Sequence, residues 1–157
     1  MNESGGYDIE DLAVGMSERF VKTLTEHDVV LFATATGDHN PVHLDDDYAR
    51  GTRFGGRIVH GMLSASVISA ALASRLPGPG TIYLSQNLHF RRPVKPGETL
   101  SAIVTIRELQ PRRQRAVLAT VCEVDGRVVV EGEAVVIPTS RAPAAAGAAR
   151  RAPPLAV

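Results

Sequence analysis

Neither charge is in surplus in this sequence: 17 lysines and arginines balance 17 aspartates and glutamates. Nucleic acids and anionic membranes are bound through a basic excess, so neither is an expected partner. Near neutrality, weak self-repulsion also leaves little to oppose self-association. There is one cysteine, Cys122, which excludes an intrachain disulfide framework and a cysteine-rich zinc site. The N-terminus, MNESGGYDIEDL, lacks the basic start and apolar run of a signal peptide. The longest apolar-leaning stretch, residues 58–76, is broken by Ser64, Ser66, Ser69, Ser74 and Arg75 and is too polar to span a bilayer. A cytoplasmic protein is expected, and 157 residues suit one domain with its own core.

What is present falls into three parts. Residues 17–24, SERFVKTL, roughly alternate and predict a first strand. Thr25 and Asp28 have the spacing of a capping box. They predict a helix that carries Val29, Val30, Leu31, Phe32, Ala33 and Ala35 and closes at Gly37. Asp45 is the expected N-cap of a short second helix, followed by the glycine-rich loop GTRFGGR. Residues 61–76, GMLSASVISAALASRL, predict a long central helix that PGPG at 77–80 brings to an end. Its small residues suggest that other elements wrap it closely.

Four strand-like runs follow: TIYLSQNLHF, ETLSAIVTIREL, RAVLATVCEV and RVVVEGEAVVI, the last two joined by a hairpin turn at Asp125 and Gly126. We read them as an antiparallel meander of four strands. Such a sheet has an apolar face to cover, and the Ala/Ser helix is the sizeable candidate. The expected fold class is therefore α+β, a helix cradled by a curved sheet. From Thr139 the chain is rich in Ala, Pro and Arg without periodicity, which predicts a domain over 1–138 and a disordered tail over 139–157.

The stretch TGDHNPVH, residues 36–43, holds two of the five histidines. Between Asp38 and His43 stand Asn40 and Pro41; proline fixes its own φ and restricts the residue before it, so the loop is stiff. A rigid carboxylate and imidazole suit proton transfer at one water or substrate carbon, a contribution of about 10²–10⁴-fold in rate. The same residues are also ordinary turn formers, and spacing alone leaves both readings open. His39, not held by the proline, is the weaker of the two histidines. Asp38, His43, Asp45, Asp46 and Asp47 match neither an HExxH helix nor an EF-hand loop, so no metal is expected.

In IVHGMLSAS, residues 58–66, Gly61 falls in the first turn of the central helix, where backbone N–H groups lack helical partners. With no side chain in the way, a ligand could approach, and the helix terminus would favour a developing oxyanion such as a thioester enolate. Glycine for tight packing at a helix start is the alternative. Ser69 lies two turns on along the same face, placed to bond a substrate or its own helix. His60 and His89 read as isolated structural histidines, and Cys122 as a core thiol.

The segment FATATGDHNPVHLDDDYA followed by GRIVHGMLSAS strongly resembles the MaoC-like hydratases of the hot-dog superfamily, over roughly residues 15–138. Among these it is most similar to the (R)-specific enoyl-CoA hydratases that supply polyhydroxyalkanoate synthesis. The resemblance implies a five-stranded antiparallel sheet wrapped around the central helix and a homodimer joining two sheets. It implies Asp38 and His43 as the catalytic pair, the Gly61 N–H as oxyanion donor, Asn40 ordering the loop and Ser69 near the catalytic aspartate. The implied reaction is reversible syn addition of water to a trans-2-enoyl-CoA, giving the (R)-3-hydroxyacyl-CoA. Asp38 would take the water's proton as it attacks C3, His43 would orient it and assist delivery to C2, and activity should fall in acid. No cofactor is implied, coenzyme A being part of the substrate. Leu72 is an expected floor for the acyl pocket, and Arg91, Arg92, Lys95, Arg112, Arg113 and Arg115 are candidate phosphate contacts. The alternatives are a dehydratase acting on acyl carrier protein, a hot-dog thioesterase and a non-catalytic acyl-binding protein. The intact Asp-x-Asn-Pro-x-His loop argues against the last two.

Overall fold

The first half of the chain is one strand followed by four helices, and the second half is almost entirely sheet; the computed structural model describes residues 1–141. Strand β1 spans Ser17–Thr23 and helix α1 spans Glu26–Thr36. Between them the capping box forms as expected: the Asp28 N–H donates to Thr25 Oγ1 at 3.1 Å, and the Thr25 N–H donates to Asp28 Oδ2 at 2.8 Å. Gly37 ends α1 with φ at 81°, a left-handed cap that suits a residue without Cβ.

A short helix, α2 at Pro41–Leu44, was not expected. Asn40 caps it and Pro41 supplies its first position, so the stiff loop is itself a helix start. Helix α3, Asp46–Arg50, begins at the expected cap, with Asp45 accepting from the Tyr48 N–H at 2.9 Å. Helix α4 spans Gly61–Ser74, slightly shorter than the sequence pattern. Pro77 disfavours helical geometry in the residue before it, so the helix lets go early.

The strands are β2 Ile82–Phe90, β3 Thr99–Gln110, β4 Arg115–Val124 and β5 Arg127–Ile137. Their order is β1-β3-β4-β5-β2, with antiparallel pairing throughout. The expected four-strand meander is therefore corrected. Only β3, β4 and β5 run consecutively; β2 pairs with β5 at the far edge, and β1 takes the place beside β3. The links explain this. Asp125 and Gly126, both at positive φ, make a tight hairpin between β4 and β5. Residues 91–98, RRPVKPGE, contain two prolines and form a longer connection that crosses the sheet.

One face of the sheet folds over α4, the hot-dog arrangement. In β3 the alternate residues Leu100, Ala102, Val104 and Ile106 are fully buried, as a strand with one covered face requires. They meet Leu63, Val67, Ile68, Ala71 and Leu72 of α4 in a single core with Leu118, Cys122, Val130 and Ala134. Truncating a buried residue such as Ile68 to alanine costs about 2–5 kcal/mol. The helix is not wrapped on all sides, however: Met62, Ser66, Ser69 and Ala73 form a bare stripe. At the other end of the chain, Thr139 accepts from the Ile9 N–H at 2.8 Å, and Arg141 pairs with Asp11 at 2.6 Å. These residues, assigned to the tail on sequence, are thus tied to the N-terminal segment. The rest of that tail, 142–157, lies outside the described residues.

Candidate active site

Asp38 follows the left-handed cap of α1, and His43 sits on the single turn of α2. The turn chemistry and the pairing are both present: the Asn40 N–H donates to Asp38 Oδ1 at 3.3 Å, and Asn40 Oδ1 accepts from the Val42 N–H at 3.3 Å. The Asx contacts that made the loop look like an ordinary turn are what brace it. Asp38, Asn40 and His39 are exposed in the single chain, whereas His43 is only 8% exposed.

The His43 ring is oriented from behind. Its Nδ1 lies 2.8 Å from the Ile58 carbonyl, which can only accept, so Nδ1 carries a proton and, in the neutral ring, Nε2 offers a lone pair. The segment bearing Ile58 is itself anchored. The Ile58 N–H donates to the Val42 carbonyl at 3.3 Å, and the Val59 N–H donates to the Val94 carbonyl at 2.7 Å. Just before it, Arg57 bridges Glu26 at 2.5 Å and Asp46 at 2.8 Å, tying α1 to α3. Those carboxylates, Glu26 first, hold the Arg57 guanidinium above its ordinary range.

A third residue joins the pair. His60, expected to be an isolated structural histidine, is 1% exposed and stacks on His43 with ring centroids 3.9 Å apart. Its Nε2 donates to the Asp38 carbonyl at 3.0 Å, and Phe32 of α1 packs on it at 4.9 Å. Its Nδ1 is buried without a hydrogen-bond partner among the described residues, a state that typically costs about 1–3 kcal/mol. The signal available in the sequence was its place immediately before Gly61.

One polar atom from each of Asp38, His43 and His60 lies within 4.8 Å of the others. Two histidines and a carboxylate are a familiar ligand set, but the rings are stacked and tilted by only 32°, so their in-plane lone pairs do not converge at bonding distance. His43 Nδ1 and His60 Nε2 are already committed to carbonyls. The geometry suits a water held between a carboxylate and an imidazole better than a cation.

Gly61 opens α4, and a Cβ there would come within 2.9 Å of the Phe90 ring. A side chain there would have to displace the Phe90 ring. Gly61, Ser64 and Phe90 line a cleft of about 220 Å³ with Ile58, Val59 and Val94, and Arg53, Arg91 and Arg92 stand along it. The cleft meets the Asp38–His43 loop through Ile58, whose carbonyl holds His43; neither Asp38 nor His43 lines it in the single chain.

The structure does not bring every candidate together. Ser69 lies about 12 Å further along α4 than Gly61, at 1.5 Å per residue. With the buried Leu72 it lines a separate hollow of about 50 Å³ against Thr81, Tyr83 and Val136. Of the basic candidates only Arg91 and Arg92 line the Gly61 cleft, while Arg112 and Arg113 border a hollow at the β3–β4 hairpin. Arg53, which stacks on Phe54 at 5.0 Å, was not singled out in the sequence.

Known proteins are similar to this chain in sequence and in fold. The family model described as MaoC like domain matches residues 13–127. An (R)-specific enoyl-CoA hydratase of Rhodospirillum rubrum is 48% identical over 132 residues, covering 84% of this chain and 92% of the relative. A 3-hydroxybutyryl-CoA dehydratase of Methylorubrum extorquens is 50% identical over 127 residues, 81% of each chain. Among solved structures, an R-hydratase of Pseudomonas aeruginosa in unliganded form superposes with a TM-score of 0.82 at 41% identity, covering 97% of both chains. With the Asp38–His43 loop seated beside the glycine that opens the central helix, the chain belongs to the MaoC-like domain family.

Proposed function

We propose that the protein is a hydro-lyase that adds water reversibly to trans-2-enoyl-CoA and forms the (R)-3-hydroxyacyl-CoA. The observation that carries the reading is the Asp38 carboxylate and His43 imidazole within 4.8 Å on a braced loop next to the start of α4. Both groups are acceptors, since His43 Nε2 bears a lone pair. A water between them donates its two protons, one to each, and keeps its own lone pairs for C3. As the O–C3 bond forms, one acceptor takes a proton and the C2–C3 π electrons move toward the thioester oxygen. The amide of Gly61, in the first turn of α4, and the positive end of that helix stabilise the enolate. A proton is then delivered to C2 from the same face, which regenerates the pair. Water addition changes no oxidation state, so the reaction calls for no redox cofactor.

The carrier in this reading is coenzyme A, with phosphates meeting Arg53, Arg91 and Arg92 along the cleft. Ser69 and Leu72 would border the far end of the acyl path. The acting unit is a homodimer. Strand β2 is a sheet edge that leaves Ile82, Tyr83, Leu84 and Phe90 exposed, and unpaired apolar edges invite a second strand. A second copy there would also stand near the bare stripe of α4. A reducing cytoplasm suits the single buried thiol, and among the described residues no helix is long and apolar enough to cross a membrane.

The test is loss of the conjugated enoyl absorbance of crotonyl-CoA, run beside Asp38→Asn. Turnover by the parent that falls about 10²–10⁴-fold in the variant supports the reading. Silence with crotonyl-CoA and with longer enoyl thioesters, on either carrier, overturns it.

A further inference from the structure

His60 is a buried titratable group that the proposed chemistry does not use, yet it touches every part of the site. Its Nε2–H donates to the backbone carbonyl of Asp38, its ring lies against His43, and its own peptide leads into Gly61. These contacts come from three separate elements: the loop after α1, the turn of α2 and the start of α4. A residue kept only to fill space would be better as phenylalanine, which would stack on His43 and Phe32 equally well. Phenylalanine would also leave no buried acceptor unpaired, whereas His60 Nδ1 has no partner among the described residues. What phenylalanine lacks is the donor to Asp38.

We infer that His60 is a positioning residue: through Nε2–H it fixes the main chain at Asp38, and through its ring it fixes His43, so that carboxylate, imidazole and Gly61 amide keep one relative geometry. The contact to Asp38 is to the backbone, so it leaves the carboxylate free to bond water. The stack limits rotation of the His43 ring about the axis set by its bond to Ile58. Displacing a reacting group by about 1 Å typically costs near 10²-fold in rate. The kinetic part of this inference rests on the hydratase reading; the structural part does not.

Two substitutions in the full chain separate the contacts. His60→Phe keeps the stack and removes the donor, and His60→Gln keeps an amide donor at a similar reach and removes the ring. With crotonyl-CoA, His60→Phe is expected to lower kcat about 10²-fold while KM stays within about twofold. His60→Gln should recover about tenfold of that loss, the worth of one hydrogen bond. Imidazole N–H proton NMR without substrate should show two protected ring protons in the parent. His60→Phe should delete one and shift the other, that of His43.

Equal losses in the two variants, or kcat within about threefold of the parent in His60→Phe, would overturn the positioning role. So would a loss of kcat matched by a rise in KM and a collapse of the melting transition. A parent that shows both protected protons but hydrates no enoyl thioester would leave the geometry standing and refute the functional reading instead. A parent without the protected His60 proton would refute the geometry itself.

Discussion

Replacing Gly61 by alanine tests the approach of substrate to the start of α4 without deleting the amide that is proposed to receive the enolate. The added Cβ would lie 2.9 Å from Phe90 Cε1, 3.2 Å from Cδ1 and 3.3 Å from Cζ. Carbon pairs are comfortable at about 3.5–4.0 Å, so the ring must retreat by roughly 0.6–1 Å. Phe90 is 53% exposed in the single chain and only its side chain is in the way, so folding of the chain absorbs the clash at the low end of overpacking, about 1 kcal/mol. Alanine's better helix propensity offsets part of that.

Stability should therefore change little, by no more than a few degrees in Tm. The site should not be so tolerant. The new methyl and the displaced ring both enter the cleft lined by Gly61, Ser64 and Phe90. If the thioester oxygen must come within hydrogen-bond distance of the Gly61 N–H, kcat/KM for crotonyl-CoA should fall by about 10²-fold, near 2.7 kcal/mol of transition-state stabilisation. Gly56→Ala is the control, since nothing lies within 4 Å of a Cβ there. A Gly61→Ala enzyme with parental kcat/KM would refute the approach to that amide, as would equal loss in Gly56→Ala.

The remaining predictions concern stability and accessibility. Hydrogen bonds from the backbone and side chain of Thr25 hold Asp28 below the ordinary carboxylate range, helped by Lys22. The lowered folded pKa means that this stabilisation is present above about pH 4 and is lost as pH falls through the folded value. Asp28→Asn should thus lower Tm at neutral pH and narrow its gap from the parent in acid, read by melting curves between pH 2 and 7. Thr25→Ala should cost about 1 kcal/mol at neutral pH. A Cβ on Gly132 would lie 2.0 Å from the Asn87 carbonyl oxygen, which is backbone and cannot swing aside. Gly132→Ala should push β2 off β5, lower Tm by several degrees at about 2–4 °C per kcal/mol, and weaken self-association measured by sedimentation. Burial pushes the Cys122 thiol up to about 12, so a maleimide should leave the native protein unlabelled at pH 7 and react fully after denaturation.

Local signals in the sequence carried most of the secondary structure because they act over a few residues. The Thr25–Asp28 box, the Gly37 cap, the Asp45 cap and the turn at Asp125 and Gly126 all stand where spacing placed them. Strand order was not legible, because which edge β2 joins is decided by sheet closure over α4 and by a connection with no turn signature. The Asp38–His43 pair was visible since both residues sit on one stiff loop. His60 was not, for its partners come from 22 and 17 residues away, and nothing in a lone histidine before a glycine reports a stack. The same holds for Arg53, which reaches the cleft only because the loop after α3 folds back beside Gly61. Helical spacing placed Ser69 two turns beyond Gly61, about 12 Å along α4, but the hollow it lines there was not legible, because Tyr83 and Val136 come from strands distant in sequence.

The proposed hydration is tested most directly by the configuration and fate of the product formed from crotonyl-CoA, resolved on a chiral column. With Asp38 and His43 holding one water on one face of a substrate whose carbonyl is pinned at Gly61, a single enantiomer, (R)-3-hydroxybutyryl-CoA, is expected, with the thioester intact. The (S) product, a racemate, or release of free coenzyme A from an unhydrated acyl chain would contradict the proposal.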